Sequence, residues 1–313
     1  MSAALHRGPS PFAAAVARWK GSLERVLFGK PEVVELGIVA LLAQGHLLLH
    51  DVPGVGKTTF AAALARSIGA RFARIQFTAD LLPADVVGVS VPDGSGEFTF
   101  RPGPLFAEVV LADEVNRTSP RTQSALLEAM AERQVSVDGK TYPLPRPFFV
   151  IATQNPWDAH GAWPLPDSQL DRFLIRVSIG YPDRETERRV LRNGEPVLQE
   201  PAVDASTLAA LQGAAVDTRM ATPVEDWLLD IVRATRDDRR LLRGVSPRGA
   251  AALHAAARAL AVVRGRDFVI PDDVRDLAVP VMAHRVVARD WAEDDEVAAR
   301  VIRDLVDSLP SPS

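Results

Sequence analysis

Residues 46–60, HLLLHDVPGVGKTTF, pass from a short apolar run through a Gly/Pro turn into a helix-forming stretch. The pattern G-x-x-x-x-G-K-[ST] closes on Gly56-Lys57-Thr58, but Asp51 stands where its first glycine belongs. In such a loop successive backbone N–H groups converge on phosphate oxygens and a helix N-terminus follows. Gly54 and Gly56 fall where a Cβ would obstruct the closest approach, with Pro53, Val55 and Thr59 completing the loop and first turn. Lys57 is the residue type that reaches β- and γ-phosphates, and Thr58 offers a hydroxyl to Mg²⁺. Asp51 lies at the entrance, where the chain leaves the strand, and need not touch phosphate. The expectation is a working ATP/ADP loop.

Outward from that loop, EVVLADE (108–114) delivers Asp113 and Glu114 at the end of an apolar run, 56 residues after Lys57. A buried strand ending in acids beside a phosphate loop places Asp113 to hold Mg²⁺ through water and Glu114 to act as base toward a water. Asn155, in IATQNP, ends a later strand candidate and is placed either to orient that water or simply to make the turn before Pro156. Arg172, in SQLDRFL, opens another; it reads as an arginine aimed at a γ-phosphate from a neighbouring subunit or as a salt-bridge partner of Asp171 or another nearby acid. Arg248, in SPRGAAALH, starts a helix from which it could reach nucleotide and couple two domains.

Short apolar runs alternate with helical stretches over the first 180 residues. Strands are expected at 46–50, 72–77, 108–112, 147–153 and 173–179, and helices at 32–43, 57–68 and 119–134, the last capped by Ser119 with Pro120 in its first turn. That alternation predicts a mostly parallel sheet covered on both faces, in the α/β phosphate-loop class. Residues 78–104 are too long for an ordinary connection and carry a PDGSGE turn, so they read as an insert built on a hairpin. A second hairpin is expected over 133–144, with Asp138-Gly139 at its turn. After about Pro182 the texture becomes Ala-, Leu- and Arg-rich, with no convincing strand. Thr222-Pro223-Val224-Glu225 reads as a capping box, Ser246-Pro247 and Pro271 open further helices, and Gly265 closes one. The expected division is a nucleotide-binding unit over 1–185, with N-terminal helices in 1–43, then an all-α lid over 186–305 and a loose tail over 306–313.

Composition narrows the classes further. The net charge is −4 and the sequence pI about 5.9, without the basic footprint that a nucleic-acid partner requires. A local basic run, Arg233, Arg236, Arg239, Arg240 and Arg243, reads as a solvated or subunit-contacting helix face. There is no cysteine, which excludes disulfides and thiolate metal sites. No apolar run approaches the ~20 residues of a bilayer span, no signal-peptide pattern is present, and a cytoplasmic protein is expected.

DVPGVGKT, FRPGPLFAEVVLADEVNRTSPRTQSALLEAMAERQV, IATQNP, PLPDSQLDRF and GVSPRG together closely resemble the MoxR family of AAA+ ATPases, from about Val26 to about residue 305. The resemblance implies a five-stranded αβα core, an all-α lid and assembly into a ring, commonly a hexamer, with ATP at subunit junctions. It makes Lys57 and Thr58 the Walker A pair, Asp113 and Glu114 the Walker B pair, Asn155 sensor 1, Arg172 the arginine finger and Arg248 sensor 2. VLFGK (26–30), with Phe28 and Gly29, falls where relatives contact adenine, and residues 78–100 match an insert that faces the ring opening. Such proteins act as chaperone-like motors on client proteins, often beside a partner with a von Willebrand factor A domain. NPWDAHGAWPLP departs from the family pattern at Trp157, His160 and Trp163, which read as surface or subunit-contact changes. A chelatase motor subunit, a nucleic-acid motor and a slow nucleotide-regulated scaffold are the alternatives.

Overall fold

The structure is a computed structural model and describes residues 12–94, 97–155, 163–193, 200–289 and 295–312. The chain opens with α1 (Ala13–Glu24), α2 (Pro31–Leu42), β1 (Leu47–His50), α3 (Lys57–Ser67) and β2 (Phe72–Gln76). The insert follows as α4 (Pro83–Val87), β3 (Gly88–Pro92) and β4 (Phe98–Pro102), leading to β5 (Val109–Asp113) and α5 (Pro120–Glu132). Next come the hairpin β6 (Gln134–Val137) and β7 (Lys140–Pro143), then β8 (Phe149–Gln154), α6 (Asp167–Leu170) and β9 (Ile175–Val177). The remainder is α7 (Arg184–Asn193), α8 (Ala205–Asp217), α9 (Thr222–Asp237), β10 (Leu241–Arg243), α10 (Pro247–Val263), α11 (Pro271–Met282), β11 (Val287–Ala288) and α12 (Asp295–Ser308).

Five strands pair in the order β2-β5-β8-β1-β9, every pair parallel. Parallel strands buried on both faces read as unbroken apolar runs, and successive side chains enter opposite layers. Leu47, Leu49, Val109, Leu111, Phe149 and Ile151 join the core beneath α1, α2 and α3. Leu48, Val110, Ala112, Val150 and Ala152 face the other way, onto α5, the insert and the second hairpin. Both expected hairpins form as antiparallel pairs, and Asp138 and Gly139 take the positive φ values, 51° and 74°, of a two-residue turn.

The first of these cores does not stop at the sheet. It continues through α2 into the C-terminal helices, uniting Val34, Ile38 and Leu41 with Leu211, Leu253, Ala257 and Leu260. Gln212 Nε2 donates to the Leu41 carbonyl at 2.9 Å, and Arg264 bridges Glu35 on α2 (3.1 Å) and Asp276 on α11 (2.7 Å). Ser119 and Ser246 cap their helices as expected, accepting from Thr122 N and Gly249 N. The Thr222 capping box does not form: Thr222 is already helical and the cap position is Ala221, without a side-chain bond. The lid also holds a short antiparallel ladder, β10 with β11, unseen in the sequence because a two- to three-residue pairing has no period to read. The basic run is not one helix face either, since α9 ends at Asp237; Arg240 pairs with Asp238 and Asp304, and Arg243 with Asp167.

Candidate active site

The phosphate loop spans the C-terminal end of β1 and the start of α3. Gly54 and Gly56 take φ values of +83° and +93°, in the left-handed region open to glycine at no steric cost, so their N–H groups turn inward ahead of the α3 N-terminus. Pro53, Gly54, Gly56, Lys57, Thr58 and Thr59 line a cavity of about 460 Å³, and Asp113 and Glu114 line the same cavity from the end of β5. Lys57 is buried, and its Nζ donates to the carbonyls of Asp51 (2.8 Å) and Val52 (3.1 Å). That burial holds the amine below its usual pKa, while the charges of Asp51, Asp113 and Glu114 oppose the shift. Cradle, lysine, hydroxyl and acid share one space, so the residues fit a nucleoside polyphosphate with its metal.

The two acids are tightly held. Asp113 Oδ1 accepts from Thr153 Oγ1 at 2.7 Å, and its Oδ2 accepts from Arg74 Nη2 at 2.6 Å. Glu114 Oε2 accepts from Gln76 Nε2 at 2.8 Å and Arg117 Nη1 at 3.0 Å. The Glu114 backbone is left-handed, φ 58°, a strained conformation for a residue with a Cβ. Its N–H is fixed on Thr153 Oγ1 at 2.8 Å, so the neighbouring strand anchors the backbone while Gln76 and Arg117 hold the carboxylate.

Asp51 has work of its own. Only 5% exposed, it turns its carboxylate away from the phosphate cradle to the chain just past β9. Oδ2 accepts from the backbone N–H of Ile179 and of Gly180 (2.9 Å) and from Ser178 Oγ (3.1 Å). A second, more apolar cavity of about 440 Å³ adjoins here, lined by Leu27, Phe28, Val55, Gly180, Tyr181 and Pro182 among others. Phe28 and Val55 are therefore placed together, and Gly29 follows Phe28 with φ +69°.

Asn155, Arg172 and Arg248 line neither cavity. Asn155 directly follows β8, whose Gln154 carbonyl accepts from Asp51 N at 3.1 Å, so it stands beside the loop entrance. Arg172 Nη1 donates to the Leu127 carbonyl rather than pairing with Asp171. Asp171 instead accepts from Arg285 Nε at 2.8 Å and Ser246 Oγ at 3.2 Å. Arg248 is exposed in the first turn of α10.

Residues 46–175 match the family described as ATPase family associated with various cellular activities (AAA), and residues 233–305 match the AAA lid domain. Chaperone MoxR1 of Mycobacterium tuberculosis is 40% identical over 316 residues, covering 95% of this chain and 84% of that protein. The chain belongs to the MoxR family of AAA+ ATPases. YeaC of Bacillus subtilis is 46% identical over 296 residues, covering 93% and 92% of the two chains. A crystal structure of a Cytophaga hutchinsonii protein classed as an ATPase superposes with a TM-score of 0.87 at 32% identity, covering 96% of both chains.

Within this MoxR-family site, four groups escaped sequence reasoning: Asp51 as a clamp, Arg74, Gln76 and Thr153. A signal for two of them was present. Arg74 and Gln76 alternate in FARIQF, so they share one face of the edge strand β2, and Gln76 is in register with Asp113. Trp163 is exposed, with its backbone tied to Asn116 and Gln123, whereas Trp157 and His160 lie outside the described residues. Among the described residues no group of three or more His, Asp or Glu side chains is placed to hold a metal ion, at this site or elsewhere, and no helix is long and apolar enough to cross a membrane.

Proposed function

We propose that the chain hydrolyses ATP to ADP and phosphate in a Mg²⁺-dependent reaction and uses it, as a ring of subunits, to remodel or mature client proteins. The observation that supports this best is spatial separation. The loop and both acids share one cavity, whereas Arg172 and Arg248 line neither cavity; Asp171, next to Arg172, accepts from Ser246, two residues before Arg248. Such a pair suits the phosphates of an adjoining subunit and not those bound by its own chain.

In this reading Lys57 leaves its two carbonyls for the phosphates, and Thr58 and Asp113 are the groups that would hold Mg²⁺. Mg²⁺ held there would supply positive charge against the charge that develops on the phosphates. Glu114 takes the proton of the attacking water, Asn155 orients that water, and Arg172 from the neighbour stabilises charge on the transferring phosphoryl group. The exposed Val89 and Phe98 of the insert hairpin offer an apolar surface for a client segment in the ring opening. A partner with a von Willebrand factor A domain belongs to the same proposal, and the chaperone name of the Mycobacterium relative favours it over a scaffold or nucleic-acid motor.

Hydrolysis per subunit should rise with protein concentration, and Arg172→Ala should lower it by about a thousandfold. Mixing Arg172→Ala with Glu114→Gln should restore part of the activity, because mixed junctions combine an intact base with an intact arginine. A concentration-independent rate that Arg172→Ala leaves unchanged would overturn the ring reading. Capture with Glu114→Gln and ATP, beside a Lys57→Ala control, identifies the partner; chelatase components or nucleic acid in place of a protein client would overturn the remodelling reading.

A further inference from the structure

Two cations that line the phosphate cavity, Arg66 and Arg74, have no part in that scheme, and Arg74 is the one bonded to an acid of the site. Arg74 is half-exposed on the edge strand β2 and lines the same cavity as Lys57 and Thr58. Its Nη2 donates to Asp113 Oδ2 at 2.6 Å and to Gln76 Oε1 at 3.1 Å, and its Nε reaches the same Oδ2 at 3.2 Å. Gln76 spends its amide N–H on Glu114 at 2.8 Å. The two carboxylates are thus joined in series, Asp113 to Arg74 to Gln76 to Glu114, along one face of one strand.

Asp113 is nearly buried, and its Oδ1 is already committed to Thr153. Thr153 takes one lone pair of Oδ1, so Oδ2, turned toward Arg74, is the less restrained position for a cation or for a water bound to one. A guanidinium at 2.6 Å occupies that position, and a divalent ion drawn to the same oxygen would repel it strongly across so short a distance. We propose that Arg74 is a positioning residue: it is the counter-ion of Asp113 whenever no metal is held there, and it competes with Mg²⁺ for that carboxylate. The inference rests on the Mg²⁺-nucleotide reading of the cavity. A covalently built-in competitor of this kind raises the free Mg²⁺ needed to occupy the site.

The test uses the full chain, a fluorescent ADP analogue, a series of free Mg²⁺ concentrations and a parallel series in EDTA. For Arg74→Ala and the bulkier Arg74→Gln, the Mg²⁺ concentration that half-maximally tightens binding should fall by about fivefold, with Arg74→Lys in between. Binding in EDTA should change by less than about twofold, and Mg²⁺ alone should raise the melting temperature of Arg74→Ala more than that of the wild type. An unmoved Mg²⁺ half-point would overturn the inference. So would equal weakening with and without Mg²⁺, which would make Arg74 a direct phosphate ligand. If the wild-type chain bound no nucleotide and Lys57→Ala changed nothing, the cavity reading itself would fall, a result distinct from wild-type binding that ignores Arg74.

Discussion

At the residue scale, Asp51 shows how a motif can be read correctly and still be read incompletely. Its distance from phosphate chemistry was legible, because the first motif position lies where the chain leaves the strand. Its partners were not, because Ser178, Ile179 and Gly180 lie 127 to 129 residues away and are reached mainly through backbone N–H groups that carry no sequence signature. Restoring the consensus glycine should therefore do harm. Asp51→Gly leaves the Ile179 and Gly180 N–H groups without an acceptor, a loss of about 2–3 kcal/mol at a buried site. Urea denaturation should show this, together with weaker binding of a fluorescent ADP analogue as the Gly180–Pro182 wall of the apolar cavity loosens. A variant as stable as the wild type would remove the clamp from the argument. The left-handed Glu114 was equally hidden: sequence shows an acid after a strand but not the Thr153 hydroxyl that holds its backbone.

At the element scale, the strands of the central sheet were legible because both of their faces are buried, which writes each one as an unbroken apolar word. The hairpins were legible through their turn residues. The β10–β11 ladder and the true start of α9 were not, since the first is too short for a pattern and the second rests on a one-residue shift of the cap. The insert hairpin depends on a glycine that the sequence does not advertise. Gly88 has φ +105°, and a Cβ there would press on the Arg101 carbonyl and come within 2.6 Å of Gly103 N. Gly88→Ala should thus open the base of β3–β4 while the central sheet stays intact. Hydrogen exchange should quicken at amides across 88–102 and remain slow in β5 and β8. Unchanged protection in the hairpin would show that its neighbours absorb the methyl group.

At the scale of the whole molecule, acid sensitivity has one source in a buried imidazole between β1, α5 and β8, beside a second in buried His284, whose pKa burial and Arg285 also push down. His46 Nδ1 accepts from Val150 N at 3.1 Å, and its Nε2 lies 3.2 Å from the Met130 carbonyl, to which it donates as the neutral tautomer. Burial pushes its pKa down from 6.5 to about 4, and a proton on Nδ1 would face a donor already in place. The unfolded chain takes up that proton first, so this contribution is complete above pH ~6.5 and is lost as pH falls toward ~4, about 3 kcal/mol in all. Against the wild type, His46→Gln should be less stable at pH 7 yet flatter between pH 6.5 and 4.5 in thermal unfolding; parallel curves would assign the acid limb to other groups. The change of texture near Pro182 made two parts of the chain legible, but not the apolar interior that runs from α2 into α10, because such contacts join residues more than 200 positions apart. That shared interior sets the limits of dissection. Cutting the chain after α7 would not yield two independent modules. It would expose Val34, Ile38 and Leu41 on one fragment and Leu253, Ala257 and Leu260 on the other, and each piece would carry half of an interior with a ready-made affinity for its missing counterpart.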